Sequence, residues 1–349
     1  MEADPETDQS TPPTTVAATT TTATTIHPPE SLAVSVDGNR LVDTNGTPIQ
    51  LHGATVSGFE YACAQGWGFS DGPVDQDVIN AMLAWNINAV RVTINEHCWL
   101  DRNGVDPQFA GDNYQTAVLD WVDLLLANDI VVIVSLIWSD AGDTLAMGQA
   151  VTANRDHSLD LWASLGAALV DRQGIIIDLY GEPHDISWEC WQSGCVTEEG
   201  YPAVGMQEML DAVRTAGALQ PVILSGLEYA NNLTGWVGWE VVDSMTPEQL
   251  IAGWHSYDFN RCIDADCWDA EVAPVAAEVP VITVEFGGST CDGTYVEELL
   301  PWMDANKLSY LAWAWNPWGH CEEGPDLITD PDGTPTGYGE AVRSHYLTR

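Results

Sequence analysis

The chain of 349 residues carries 52 acidic against 10 basic side chains, a formal charge of -42. Such a surface repels nucleic acid and anionic membranes and so excludes polyanion binding, while 45% hydrophobic residues and 16 tryptophans exclude a disordered acidic polymer over most of the length. Self-repulsion of this size is best tolerated where salt screens it, the Debye length falling to about 3 Å at 1 M, and the composition therefore points to a halophile protein.

Residues 1 to 32 are acidic at first and then rich in threonine and proline from Ser10 through Thr25. They lack the apolar content to fold and read as a linker or stalk. No leader is legible in Met1 to Leu32, and no stretch is long and apolar enough to cross a bilayer. A single folded domain is expected over 33 to 349. It opens with a small hairpin, Val34 to Asp43, turning at Asn45-Gly46-Thr47. Strand patterns then run over Ile49 to Val56, Ile87 to Ile94, Ile130 to Trp138, Ile175 to Tyr180, Pro221 to Ser225, Leu250 to Tyr257, Val279 to Phe286 and Leu308 to Trp315. Helical patterns lie between or after them at Asp77 to Trp85, Tyr114 to Asn128, Ser158 to Arg172, Pro202 to Ala216, Tyr295 to Asn306 and Gly337 to Leu347. Eight strands with helical returns are the arithmetic of an α/β fold, a (β/α)8 TIM barrel, whose chemistry sits at the C-terminal ends of its strands. An open doubly wound sheet is the alternative, but no Gly-rich phosphate loop follows the first strand.

Two buried strands end on a carboxylate: Ile175 to Tyr180 runs into Gly181-Glu182, and Val279 to Val284 into Glu285. Either glutamate alone could simply open a loop; together they point to one shared site. Arg91, one of nine arginines, lies inside an apolar strand, where a buried guanidinium needs a carboxylate, and Glu285 is a sensible partner. His255 and Tyr257 share one face of the sixth strand, and Trp313-Ala314-Trp315-Asn316 ends the eighth. Trp67, Trp99, Trp138, Trp188, Trp191, Trp236 and Trp318 occupy positions that read as connections, whereas Trp85, Trp121 and Trp162 read as helix core. Indoles in connections, rimmed by carboxylates, suit stacking on a neutral ligand such as a sugar ring. Two carboxylates in such a groove are the equipment for glycoside hydrolysis. The eight cysteines are even in number. Cys190 with Cys195 and Cys262 with Cys267 are spaced to close small loops, and clustering of the strand ends would bring Cys63 to Cys98 and Cys291 to Cys321. Disulfides favour an oxidising, exported setting; the zinc alternative lacks a C-x-x-C pair.

The segments Gly58-Phe59-Glu60-Tyr61-Ala62-Cys63, Asn88-Ala89-Val90-Arg91-Val92, Asn95 to Leu100, Asp178 to Asp185, Trp188-Glu189-Cys190-Trp191, His255-Ser256-Tyr257, Val284-Glu285-Phe286-Gly287 and Asp332 to Thr336 resemble glycoside hydrolase family 5, the cellulase-like retaining enzymes. The likeness runs from about residue 33 to the C-terminus. It implies Glu182 as general acid/base, Glu285 as nucleophile, Arg91, His255 and Tyr257 as supports, and Trp315 as the platform under the sugar. Trp138, Trp188 and Trp318 complete the expected sugar-binding set. Two positions depart from the family pattern: Gly181 stands where an Asn usually binds the sugar 2-hydroxyl, and Leu136-Ile137-Trp138 stands where Leu-His-Trp is usual. The expectation is a secreted, salt-adapted, monomeric endo-β-1,4-glucanase that needs no metal or organic cofactor and acts on a polysaccharide. A β-mannanase or another β-glucan hydrolase is the alternative within enzymes, and a carbohydrate-binding pseudoenzyme the alternative outside them.

Overall fold

The computed structural model describes residues 32–319 and 324–349. Thirteen strands are present among them: β1 Ser35–Asp37, β2 Arg40–Val42, β3 Pro48–Ile49, β4 His52–Val56, β5 Ala89–Asn95, β6 Val131–Trp138, β7 Ile175–Asp178, β8 Val222–Ser225, β9 Leu250–Tyr257, β10 Val281–Gly287, β11 Ser309–Ala312, β12 Ile328–Asp330 and β13 Thr334–Pro335. Strands β4 to β11 are parallel neighbours in chain order and close into a barrel through β11 against β4. The fold is thus the (β/α)8 barrel. Its eight strands fall on the eight apolar runs of the sequence, but the eighth stops at Ala312, three residues short of Trp315, the fourth stops at Asp178, and the first starts late. Pro48–Ile49 belongs to the antiparallel hairpin sheet, where Ile49 pairs with Leu41, and the first barrel strand begins only at His52.

The helices are α1 Gln76–Leu83, α2 Glu96–Leu100, α3 Asp112–Leu126, α4 Ser158–Leu169, α5 Trp188–Ser193, α6 Met206–Thr215, α7 Ala265–Glu271, α8 Ala273–Ala276, α9 Thr294–Ala305 and α10 Gly337–Tyr346. Capping fixes where several start: Asp75 accepts from the amides of Asp77 and Val78 ahead of α1, and Thr336 from that of Gly339 ahead of α10. The β8–β9 connection, residues 226–249, carries no helix.

Two apolar layers hold the barrel. Outside it, Trp121, Leu125, Trp162, Leu165, Met209 and Leu299 fill the space between strands and helices. Inside it, alternate strand residues Ala89, Val131, Ile133, Ile176, Ile223, Ile251, Ile282 and Leu311 meet at the N-terminal ends, and Val34, Val36 and Leu41 of the hairpin close over them. The Val36 amide donates to Gln249 Oε1 at 2.8 Å, just ahead of β9, which pins the hairpin there. The C-terminal ends are left open.

Three disulfides staple the connections: Cys63–Cys98, Cys190–Cys195 and Cys262–Cys267. Cys291 is also disulfide-bonded. Its expected partner Cys321 lies outside the described residues, as does the threonine- and proline-rich segment ahead of Leu32.

Candidate active site

At the open end, Arg91 rises from the middle of β5 into the barrel and is fully buried. It meets two carboxylates. Nη1 donates to Glu285 Oε1, while Nη2 lies 2.8 Å from Ser135 Oγ and 3.3 Å from Asp178 Oδ2. One guanidinium cannot hold two buried carboxylates equally, and the two diverge. Burial raises Asp178 above the ordinary carboxylate range despite Arg91, and Ser135 Oγ donates to it at 2.5 Å. Burial also works to raise Glu285, but His255, Arg91 and the Tyr257 hydroxyl outweigh it and hold that carboxyl below its ordinary value. Glu285 is therefore ionised across the neutral range.

A register irregularity in β10 between Thr283 and Glu285 sets Glu285 opposite His255 and Gly287 opposite Tyr257 on β9. Tyr257 donates from its hydroxyl to Glu285 Oε2 at 2.7 Å. His255 Nδ1 lies 2.8 Å from Glu182 Oε1 and 3.6 Å from Glu285 Oε2. Glu182, beyond the end of β7, keeps 18% of its side chain exposed, where Glu285 keeps 6%. Glu182, His255 and Glu285 each bring a donor atom within 4.8 Å of the others. Both oxygens of Glu285 are engaged by Arg91 and Tyr257, and the guanidinium charge opposes a cation, so these donors do not make a congenial metal site.

A groove of about 830 Å³ runs over this cluster, lined by Glu182, Glu285, Tyr257, Ile137, Trp138 and Trp318 among others. Of the sequence-derived indoles, Trp138 and Trp318 thus face it. Trp315 does not. It is only 3% exposed and packs edge-on against Trp85 at 4.8 Å in the outer core, and the indole lining the groove is Trp313, two residues earlier. Trp188 is also drawn elsewhere: it opens α5 and packs on Gly235 and Trp191, with centroids 5.1 Å apart for the indole pair. Trp99, Trp191 and Trp236 are buried because their Nε1 groups find inward partners, Ser164 Oγ, Ser225 O and Leu224 O. Trp67, half exposed, stands 5.9 Å from Tyr61.

The loop after β4 supplies residues that the sequence did not single out for the site. Tyr61 lies 5.9 Å from Trp138, and Asp71 Oδ2 accepts from both the Tyr61 hydroxyl (2.6 Å) and Trp318 Nε1 (2.8 Å), so one carboxylate oxygen sets two groove rings. Glu60, at the groove edge, accepts from Ser57, Thr93 and the Gly58 amide, while burial raises it above the carboxylate range. Beyond β8 and β9, Tyr229 and Phe259 add two exposed rings. Their signal in the sequence was only an aromatic within a few residues of a strand end.

The departures at 181 and 137 interlock. A Cβ placed on Gly181 would lie 2.2 Å from Ile137 Cδ1 and 2.6 Å from Arg91 Nη2. The Ile137 side chain thus fills the space that a larger residue at 181 would need.

The sequence profile of the cellulase family (glycosyl hydrolase family 5) matches residues 42–319. Endoglucanase MaCel5A of Microbulbifer sp. (strain ALW1) is 21% identical over 293 residues, 80% of this chain and 50% of that protein. Endoglucanase CelA of Streptomyces lividans is 22% identical over 295 residues, 80% of this chain and 55% of that protein. The chain spans about half the length of these curated relatives. Among solved structures, the β-glucanase SdGluc5_26A from Saccharophagus degradans superposes with a TM-score of 0.67 at 16% identity, covering 94% of this chain and 98% of that one; at that identity the likeness speaks for the fold.

Proposed function

Because the chain belongs to glycosyl hydrolase family 5, we propose that it is a retaining endo-β-1,4-glucanase in which Glu285 is the nucleophile and Glu182 the general acid/base. The observation that carries this reading is the closeness of the two carboxylates, an oxygen of each within 4.8 Å. Retaining glycosidases hold theirs about 5 to 5.5 Å apart, whereas inverting enzymes need about 6.5 Å or more to admit a water between them. Glu285 attacks the anomeric carbon as the glycosidic C–O bond breaks and Glu182 gives its proton to the departing oxygen. Water, giving a proton back to Glu182, then displaces Glu285. Arg91 and Tyr257 keep the attacking carboxylate ionised and aimed, and His255 Nδ1 spans the two acids. The β-1,4-glucan assignment draws on the two related endoglucanases and on the structural relative solved in complex with cellotetraose. The disulfides favour work outside the cell, and the charge favours salt-rich water and a monomer.

A second reading, a glycan-binding protein with little turnover, rests on Gly181 and Ile137, which remove an amide and an imidazole from beside the carboxylates. The test is release of reducing ends from soluble β-1,4-glucan in molar salt by the wild type, Glu182→Gln and Glu285→Gln. The hydrolase reading expects cleavage by the wild type and a fall of about 10² to 10⁴ or more in each variant. A folded wild type that binds glucan without cutting it decides for the second reading.

A further inference from the structure

Along five neighbouring strands the inward-facing positions change character within one step of two residues. Ala89, Ile133, Ile176, Ile223 and Ile251 belong to the apolar plug of the barrel. Two residues further on, the same faces present Arg91, Ser135, Asp178, Ser225 and Gly253. The four side chains of this layer are fully buried, and Asp178 links them. Its Oδ2 accepts from Ser135 Oγ at 2.5 Å and lies 3.3 Å from Arg91 Nη2, and its Oδ1 lies 3.4 Å from Ser225 Oγ. Gly253 makes room for this arrangement, since a Cβ there would lie 2.5 Å from Ser225 Oγ. The layer is well supplied with hydrogen bonds but poor in positive charge. Facing it are Arg91 from β5, His255 and Tyr257 from β9, Glu285 from β10 and Glu182 beyond β7. Arg91 gives Nη1 to Glu285, and His255 sits between Glu182 and Glu285. An ionised carboxylate at 178, out of reach of water, would have no cation of its own.

Resting on the double-displacement reading, we propose that Asp178 is a positioning residue that works as a neutral acid, fixing the Nη2 side of the Arg91 guanidinium while leaving its charge to the nucleophile Glu285. Nη2 is bounded on three sides: by Ser135 Oγ at 2.8 Å, by Asp178 Oδ2, and by Gly181, where a Cβ would stand 2.6 Å away. The guanidinium is a rigid planar fork, so holding Nη2 also sets the direction in which Nη1 meets Glu285. The proton matters as much as the oxygen. An ionised Asp178 would compete for Arg91 and, as a like charge, would favour the protonated form of Glu285, which cannot attack. A neutral carboxylic acid accepts from Nη2 and Ser135 through one oxygen and keeps an O–H to give to Ser225. Burial pushes Asp178 the same way, above the ordinary carboxylate range.

The acid limb of the pH dependence of kcat/KM reports the ionisation of Glu285 in the free enzyme, and it separates the two charge states of Asp178. Asp178→Asn keeps an accepting oxygen for Nη2 and Ser135 and an N–H for Ser225. On soluble β-1,4-glucan it is expected to stay within about threefold of wild type, with the acid limb unmoved. Asp178→Leu keeps the volume and removes the acceptor. It is expected to lower kcat/KM about 10- to 100-fold and to raise the acid limb by about one pH unit, as Arg91 loosens from Glu285. Asp178→Ala repeats the removal should leucine overpack. An acid limb that falls by about a unit in Asp178→Asn would overturn the inference, because loss of a negative charge near Glu285 has that sign. Leucine and alanine variants that match wild type would overturn it too. Infrared difference spectra of wild type against Asp178→Asn near neutral pH read the proton without turnover: wild type is expected to show the carbonyl stretch of a protonated carboxylic acid that the variant lacks, and no such band sinks the neutral acid. A wild type that shows the band but cleaves no glucan sinks the hydrolase reading and the positioning role with it. A wild type that cleaves glucan and lacks the band sinks this inference only.

Discussion

Gly181 and Ile137 show how two residues can trade one volume beside the paired glutamates. Ile137 Cδ1 stands where a side chain at 181 would begin, so Gly181→Asn alone is expected to force Ile137 or the locked Arg91 to move. Such overpacking costs about 1 to 3 kcal/mol, read as a lower denaturant midpoint together with a further loss of turnover. Gly181→Asn joined to Ile137→His frees part of that space. The double variant is expected to recover stability over the single and to exceed wild-type turnover on β-glucan. A double variant that folds as well as wild type without gaining turnover would mean that the site is organised around its apolar wall. The two glutamates and the arginine were legible in the sequence because charge inside or at the end of an apolar strand is conspicuous. Trp313 was not, because Trp313 and Trp315 share the parity that alternation uses. β11 ends at Ala312, so beyond it the chain no longer obeys that period.

Among the elements, the long strands and six helical patterns were readable from periodicity. The helices α2, α5, α7 and α8, of four to seven residues, are too short to express a 3.6-residue repeat. The shortest of these connections still organise large loops. At the start of α2, buried Glu96 accepts from the Asp140 amide at 3.0 Å, Asn154 Nδ2 at 2.5 Å and Ser158 Oγ at 2.7 Å, tying α2 to the loop after β6 and to α4. Burial pushes Glu96 from 4.5 up to about 8 in spite of those donors. Protons are thus held more tightly in the folded chain, so this group's contribution to stability is complete below about pH 4.5 and is lost as pH rises toward 8, at up to about 1.4 kcal/mol per unit. Neighbouring His97, held down to about 4 by burial and by His157, works in the opposite sense between about pH 4 and 6.5. Glu96→Gln is therefore expected to gain stability relative to wild type progressively from pH 5 to pH 8, in parallel thermal melts. A difference that does not change with pH would show that Glu96 is already charged in the folded chain.

At the scale of the whole molecule the charge is unbalanced by design of the composition rather than by any one site. Arg91, Arg155, Arg172, Arg214 and Arg261 are each paired with at least one carboxylate, and with so few basic residues most of the acidic side chains among the described residues have no basic partner. Repulsion among them reaches about 30 Å in dilute buffer and about 3 Å at 1 M salt. The melting temperature is expected to rise steeply with sodium chloride between these limits, and a flat dependence would remove the case for salt adaptation. The hairpin that stoppers the barrel has a consequence for where the barrel can be held. Val36 and Leu41 sit over the strand N-termini, while the groove opens at the other pole. A label or tether fixed on the exposed turn at Asp37 and Gly38 therefore sits at the pole away from the groove and leaves the cleft clear.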